Sequence, residues 1–243
     1  MQHLSMSGWS EFILVDPDVM DEANLVKHPA SRIDLGRPKV NIAKSWLLDR
    51  NPASQVEGLQ EDVMLMDEAK RTEIFESADI VVSATDSNSV RHFVNDLCLE
   101  ARTPMTVGSV HRGGIGGTVL LVRPGQTGCY ACMEMAADGL DGLPNEGDLP
   151  PTEDELEMVY GRGMSGYAAA GLSADIGLVA SVHAQVTVAE LLRIEGAASS
   201  QLAAITENWI PITIRCGAEW SWSVGRVALP PLEGCVSCGE ETD

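Results

Sequence analysis

"LVDPDVMDEANL" (residues 14–25) closes the apolar run "EFILV" with two acids, Asp16 and Asp18, and continues into a loop carrying Asn24. A short apolar run cut off by acids reads as a buried strand, Glu11 to Val15, with its carboxyl end at a ligand site. Ligands of open α/β sheets bind beyond the carboxyl ends of strands, where an acid meets a ribose or a metal ion. The pattern recurs in "DIVVSATD" (residues 79–86), a fully apolar strand ending at Asp86.

Helical spacing fills the intervals. "RPKVNIAKSWLLDRNP" places Val40, Ala43, Trp46 and Leu47 on one face, with Pro52 just past its end. "QVEGL" is a weak strand, "DEAKRTEIFESA" (residues 67–78) a polar helix, and residues 87–101 a further helix. "PMTVGSV" and "GGTVLLVRP" are two more strands. Strands alternating with helices predict a parallel α/β sheet. "WIPITIRC" and "EWSWSVGRVAL" read as antiparallel strands near the C-terminus, after a buried helix over about residues 174–195. That helix is apolar, but Asp175, His183 and Glu190 interrupt it, which argues against a membrane span.

The chain has 243 residues, 44% hydrophobic, and reads as a single domain with a sizeable core. Its formal net charge is −20, from 36 acids against 16 Lys and Arg, which disfavours nucleic acid as a direct partner. No signal-peptide pattern opens the sequence, and a cytoplasmic setting is expected. Residues 133–166 are rich in acids, Gly and Pro, and are expected to form a mobile crossover loop.

"CYAC" (Cys129, Cys132) and "CVSC" (Cys235, Cys238) are the strongest chemical signal. Each CxxC turn offers two thiolates, and two turns complete a closed tetrahedral Zn²⁺ site, structural because no position is left for water. A redox role is weaker, since neither pair is expected to open a helix after a strand. Cys98 falls in an apolar helix pattern and reads as a core thiol; Cys216 closes a strand. Lys39 follows Pro38 at a helix start, where a cation can reach phosphate, although an ordinary surface lysine has the same pattern. "RGGIGGT" (residues 112–118) lies between two strands and reads as a turn or bulge, not a phosphate loop. His28, His111 and His183 lack ligand spacing.

Together "LVDPD…NLVKH…DLGRPKV", "SATDS…VRHFVND", "CYAC" and "CVSC" resemble the ThiF/MoeB/E1-like adenylyltransferases, which activate ubiquitin-like proteins. The resemblance implies a Rossmann-like, doubly wound, mostly parallel sheet with antiparallel C-terminal strands and a structural zinc site. It implies MgATP as substrate and a ubiquitin-like or sulfur-carrier protein with a C-terminal glycine as partner, in a homodimer or an E1-like heterodimer, with no membrane role. Asp16 would bind the ribose, with Asp18 beside it. Asn24, Lys39 and Lys27 would hold phosphates, Lys27 standing where the family has arginine, and Asp86 would hold Mg²⁺. Tyr167 stands where many relatives carry a cysteine, so a thioester or persulfide step is not expected there.

The glycine-rich turn and first strand that precede the "LVD" strand in such folds are not in this sequence. Residues 1–243 alone are therefore expected not to adenylate, and the strands at "LVDPD" and "SATD" to show unpaired edges. A non-catalytic E1-like zinc scaffold that binds a ubiquitin-like protein is the alternative reading, and a dinucleotide oxidoreductase is a weaker third.

Overall fold

A computed structural model describes residues 1–22, 24, 25, 28, 30–111, 115–138, 173–197, 205–216 and 219–239. The chain forms two compact units, Met1–Ile74 and Phe75–Asp243.

In the first unit, helix α1 (Gln2–Met6) leads into strand β1 (Glu11–Val15). Helix α2 (Lys39–Arg50) then returns the chain to strand β2 (Gln55–Leu59). The two strands are parallel, with Glu11 opposite Gln55 and Val15 opposite Leu59. Pro38 precedes α2 with φ −55°, the backbone angle its ring dictates, and loses no helical hydrogen bond there. Val40 and Leu47 supply the buried face of α2. The expected burial of β1 is not found: its residues are exposed or half-buried, and Ile13 is 42% exposed. The reason is local. Among the described residues β2 is its one hydrogen-bonded neighbour, whereas parallel strands are normally buried by partners on both edges.

Helix α3 (Glu68–Ser77) runs through the boundary between units. In the second unit, strand β3 (Val81–Ser83) and strand β4 (Met105–Val110) are parallel, joined by helix α4 (Asn88–Ala101). β3 also has one neighbour among the described residues, and Val82 is 37% exposed where a buried, fully apolar strand was expected. Strand β5 (Gly116–Val122), helix α5 (Tyr130–Ala137), helix α6 (Ser173–Ile194), strand β6 (Trp209–Cys216) and strand β7 (Glu219–Val224) follow. The sheet order is β3-β4-β5-β6-β7, antiparallel from β4 onward, so the C-terminal strands are antiparallel as expected.

Gly116, Gly117 and Thr118 open β5, as the strand reading of "GGTVLLVRP" has it, so the turn or bulge expected over residues 112–118 does not extend to them; residues 112–114 lie outside the described residues. A Cβ on Gly116 would sit 2.1 Å from the Ile212 carbonyl oxygen, so close strand approach demands glycine there. Met133–Ala137, placed in the crossover loop from sequence, belong to α5, and residues 139–166 of that loop lie outside the described residues.

α6 is long and apolar enough to cross a membrane by length and composition. In this fold its apolar side faces the sheet: Val179 and Val186 join Val119, Leu121, Ile210 and Ile212 in the core. Its polar residues are internal partners. Glu190, fully buried, receives Arg123 and Arg193, each with an Nη2 at 2.7 Å. Burial pushes its carboxyl upward, but hydrogen bonds from Arg193 and Arg123 outweigh this and hold it below the ordinary value. Glu190→Ala leaves the half-buried Arg123 without its carboxylate and should cost about 3 kcal/mol in urea unfolding, the low end for breaking a buried pair.

His183 lies against Gly108, where a Cβ would come within 2.3 Å of Nδ1, and its Nε2 meets Thr106 Oγ1 at 3.0 Å. Burial lowers its pKa to about 4. Between that value and its ordinary one the unfolded chain binds more protons than the folded one. Stability is therefore complete above about pH 6.5 and falls toward pH 4, by about 3 kcal/mol from this group alone. Urea unfolding at pH 7 and pH 4.5 should show this loss, and His183→Gln should flatten it.

Candidate functional site

At the carboxyl end of β1 the chain turns back beside the start of α2. Val19 bridges Pro38, Met20 N–H donates to Arg37 O at 2.8 Å, and Lys39 N–H donates to Asp18 O at 2.9 Å. This pairing brings three of the expected residues together. Asp18 N–H donates to Asp16 Oδ1 at 2.8 Å, and Lys39 Nζ reaches Asp18 Oδ2 at 2.7 Å. Asp18 is largely exposed, so the ion pair is weakly stabilising, and its ammonium is available to a stronger anion. Asn24 is held instead by Asp21, which accepts from its backbone N–H at 2.8 Å and from its side-chain amide. Lys27 and Tyr167 lie outside the described residues.

In the second unit Asp86 stands in the turn between β3 and α4, exposed. Its carboxylate makes no hydrogen bond or ion pair among the described residues, so it is free to take a cation. Ser87 caps α4 by accepting from Val90 N–H at 3.4 Å. Arg91, 8% exposed, donates through Nε and Nη2 to Thr85 O at 3.1 and 2.7 Å. Arg91 was missed from sequence. The signal was its place in the buried stripe Arg91, Val94, Asn95, Cys98, where a cation needs a reason. Cys98 is fully buried and burial raises its thiol pKa, as a core residue requires.

Cys129, Cys132, Cys235 and Cys238 converge, with all four Sγ atoms within 4.8 Å of one another. Individual Sγ–Sγ distances are 3.6 Å for Cys129–Cys235, 3.3 Å for Cys132–Cys238 and 3.9 Å for Cys129–Cys132. Tetrahedral Zn–S bonds of about 2.3 Å set sulfurs roughly 3.8 Å apart, so the cluster fits zinc. Leu232 N–H points at Cys132 Sγ from 3.3 Å, as it would at a thiolate. Burial raises Cys129 to about 11. At Cys235 burial also opposes ionisation, yet backbone N–H groups of Cys238 and Ser237 draw it down to about 7. One expectation fails: Cys129 caps α5, so this pair does open a helix after a strand. The approach of the second pair, not the lack of a helix, is what favours metal over redox chemistry.

Fold and site together define an α/β protein with acids at strand ends and a four-cysteine cluster that fits zinc. The profile of the ThiF family matches residues 1–208, and the chain belongs to that family. Among curated relatives, the SAMP-activating enzyme E1 of Haloferax volcanii is 30% identical over 134 residues, 55% of this chain and 47% of that protein. The sulfur carrier protein ThiS adenylyltransferase of Escherichia coli is 30% identical over 133 residues, 54% of this chain and 51% of the relative. The chain thus matches about half the length of each. Among solved structures, the microcin C7 biosynthetic enzyme MccB of E. coli in complex with N-formylated MccA superposes with a TM-score of 0.66 at 21% identity. That match covers 98% of this chain and 64% of MccB, a likeness of fold.

Proposed function

We propose that this chain is the adenylation domain of an enzyme that uses ATP to activate the C-terminal glycine carboxylate of a ubiquitin-like or sulfur-carrier protein. The observation that carries the reading is the Asp16–Asp18–Lys39 arrangement at the end of β1, within a chain matched to the ThiF family over residues 1–208. It is supported by relatives named as adenylyltransferases and as an E1 activating enzyme.

In the reaction, a carboxylate oxygen of the carrier attacks the α-phosphorus of ATP. The new acyl–phosphate bond forms as the bond to the β-phosphate's bridging oxygen breaks, and pyrophosphate leaves with the electron pair. Such a displacement needs positioning and charge neutralisation more than a covalent catalyst. Asp16 accepts from the ribose hydroxyls through the lone pairs not taken by Asp18 N–H. Lys39 leaves Asp18 for the phosphates, where Asn24 and Lys27 assist. Asp86, uncommitted among the described residues, would hold Mg²⁺, which when bound offsets phosphate charge. Zinc held by the four cysteines would have a closed set of ligands and take no part in the chemistry. The working protein is cytoplasmic and dimeric in this reading.

Equilibrium binding of ATP and of adenosine to variants tests the assignment. Lys39→Ala should weaken ATP about 10- to 100-fold and leave adenosine unchanged, as expected for one charge-assisted phosphate contact. Asp16→Ala should weaken both. Equal loss of both ligands in Lys39→Ala, or none, speaks against these roles.

A further inference from the structure

Helix α5, capped by Cys129, lies against the beginning of α4, the helix that opens just past Asp86. The contact is made by polar groups. Tyr130 donates its backbone N–H to Asn95 Oδ1 at 2.9 Å and its hydroxyl to Asn88 Oδ1 at 2.6 Å. Glu134, one turn along α5, accepts from Asn88 Nδ2 at 2.9 Å and meets His92 Nε2 at 2.6 Å. The His92 ring stands edge-on to Tyr130 with centroids 5.0 Å apart. Asn88, His92 and Asn95 share one face of α4 by spacing, so two residues of α5 engage the first two turns of α4 at once.

These bonds close a circuit: Tyr130 to Asn88, Asn88 to Glu134, Glu134 to His92, and His92 back to the Tyr130 ring. On the other side of the turn, Arg91 holds the Thr85 carbonyl twice. Asp86 therefore stands between a residue fixed by Arg91 and a helix start fixed by α5, while its own carboxylate stays exposed. Simple helix packing would be met by apolar side chains. A tyrosine hydroxyl, a carboxylate, an amide and an imidazole, each satisfied by another, instead fix direction, because hydrogen bonds are lost when either helix turns.

We propose that Tyr130 and Glu134 are positioning residues that act through Asn88 and His92 to fix the first turn of α4 and with it the Asp86 carboxylate. The catalytic consequence rests on the adenylation reading of Asp86; the structural effect does not. Amide hydrogen exchange of the full chain, without nucleotide, is the test. In Glu134→Ala, amides of residues 90–94, the first hydrogen-bonded amides of α4, should exchange roughly tenfold faster, the scale expected for losing a charge-assisted contact, with β5 unchanged. Glu134→Gln keeps an acceptor for Asn88 and should recover most of the protection. Tyr130→Phe, which removes one oxygen, gives the same comparison should Glu134→Ala fail to fold. Unchanged exchange at residues 90–94, an increase spread equally through β4 and β5, or no recovery in Glu134→Gln overturns the proposal. Because no nucleotide is present, the result stands whether or not the adenylation reading does.

Discussion

Asp86→Ala should abolish carrier-dependent ATP–pyrophosphate exchange in the full gene product, by about 10²–10³-fold or more, the scale of losing one electrostatic stabiliser of a transition state. The side chain is exposed and makes no bond to the rest of the chain among the described residues, so its removal leaves the Ser87 cap and the Arg91–Thr85 contacts in place. Loss of activity should therefore come without loss of thermal stability or of zinc. Asp86→Asn, isosteric but uncharged, should lose nearly as much, because a metal-holding role depends on the negative charge. Unchanged exchange in either variant contradicts the assignment.

A Cys235→Ser, Cys238→Ser double variant should lose bound zinc and be severely destabilised. The wild-type protein should contain about one zinc per chain, as four thiolates around one ion require. Metal binding of this kind supplies on the order of 10 kcal/mol of folding free energy. The effect should be large here because the cluster ties the segment after β7 to the start of α5, which otherwise meets it through contacts such as Leu232 N–H on Cys132. Elemental analysis together with thermal unfolding decides the point. Full zinc retention in the double variant, or no zinc in the wild type, would overturn the metal centre.

Much of this was legible in the sequence because each signal was local. The apolar runs ending at Asp16 and Asp86 gave strands with acids just past their ends, and Pro38 marked the start of α2. Paired CxxC spacing marked the four-cysteine cluster without any knowledge of the fold. Burial of β1 and β3 was misjudged because apolar composition reports what a strand can bury, whereas actual burial depends on neighbours on both edges. The strand start at Gly116 was legible from the apolar run that follows it, but the reason for glycine there was not. Glycine usually signals a turn, and only the approach of the Ile212 backbone shows why it stands in a strand. Arg91, Asn88, His92, Tyr130 and Glu134 were not singled out, since their roles arise from contacts between α4 and α5. No spacing rule within either helix predicts that pairing. The Lys39–Asp18 contact likewise depends on the chain folding back from β1 to α2.

The central claim is that a carrier's C-terminal carboxylate becomes an acyl-adenylate. The most direct measurement incubates the full gene product with MgATP and a ubiquitin-like or sulfur-carrier protein ending in glycine, and weighs the carrier by mass spectrometry. The account predicts a mass increase of one adenylyl group, dependent on ATP and on Asp86, and absent when the carrier's C-terminus is amidated. Adenylylation that survives amidation of the C-terminus, or the absence of any adenylylated carrier while pyrophosphate is released, would contradict it.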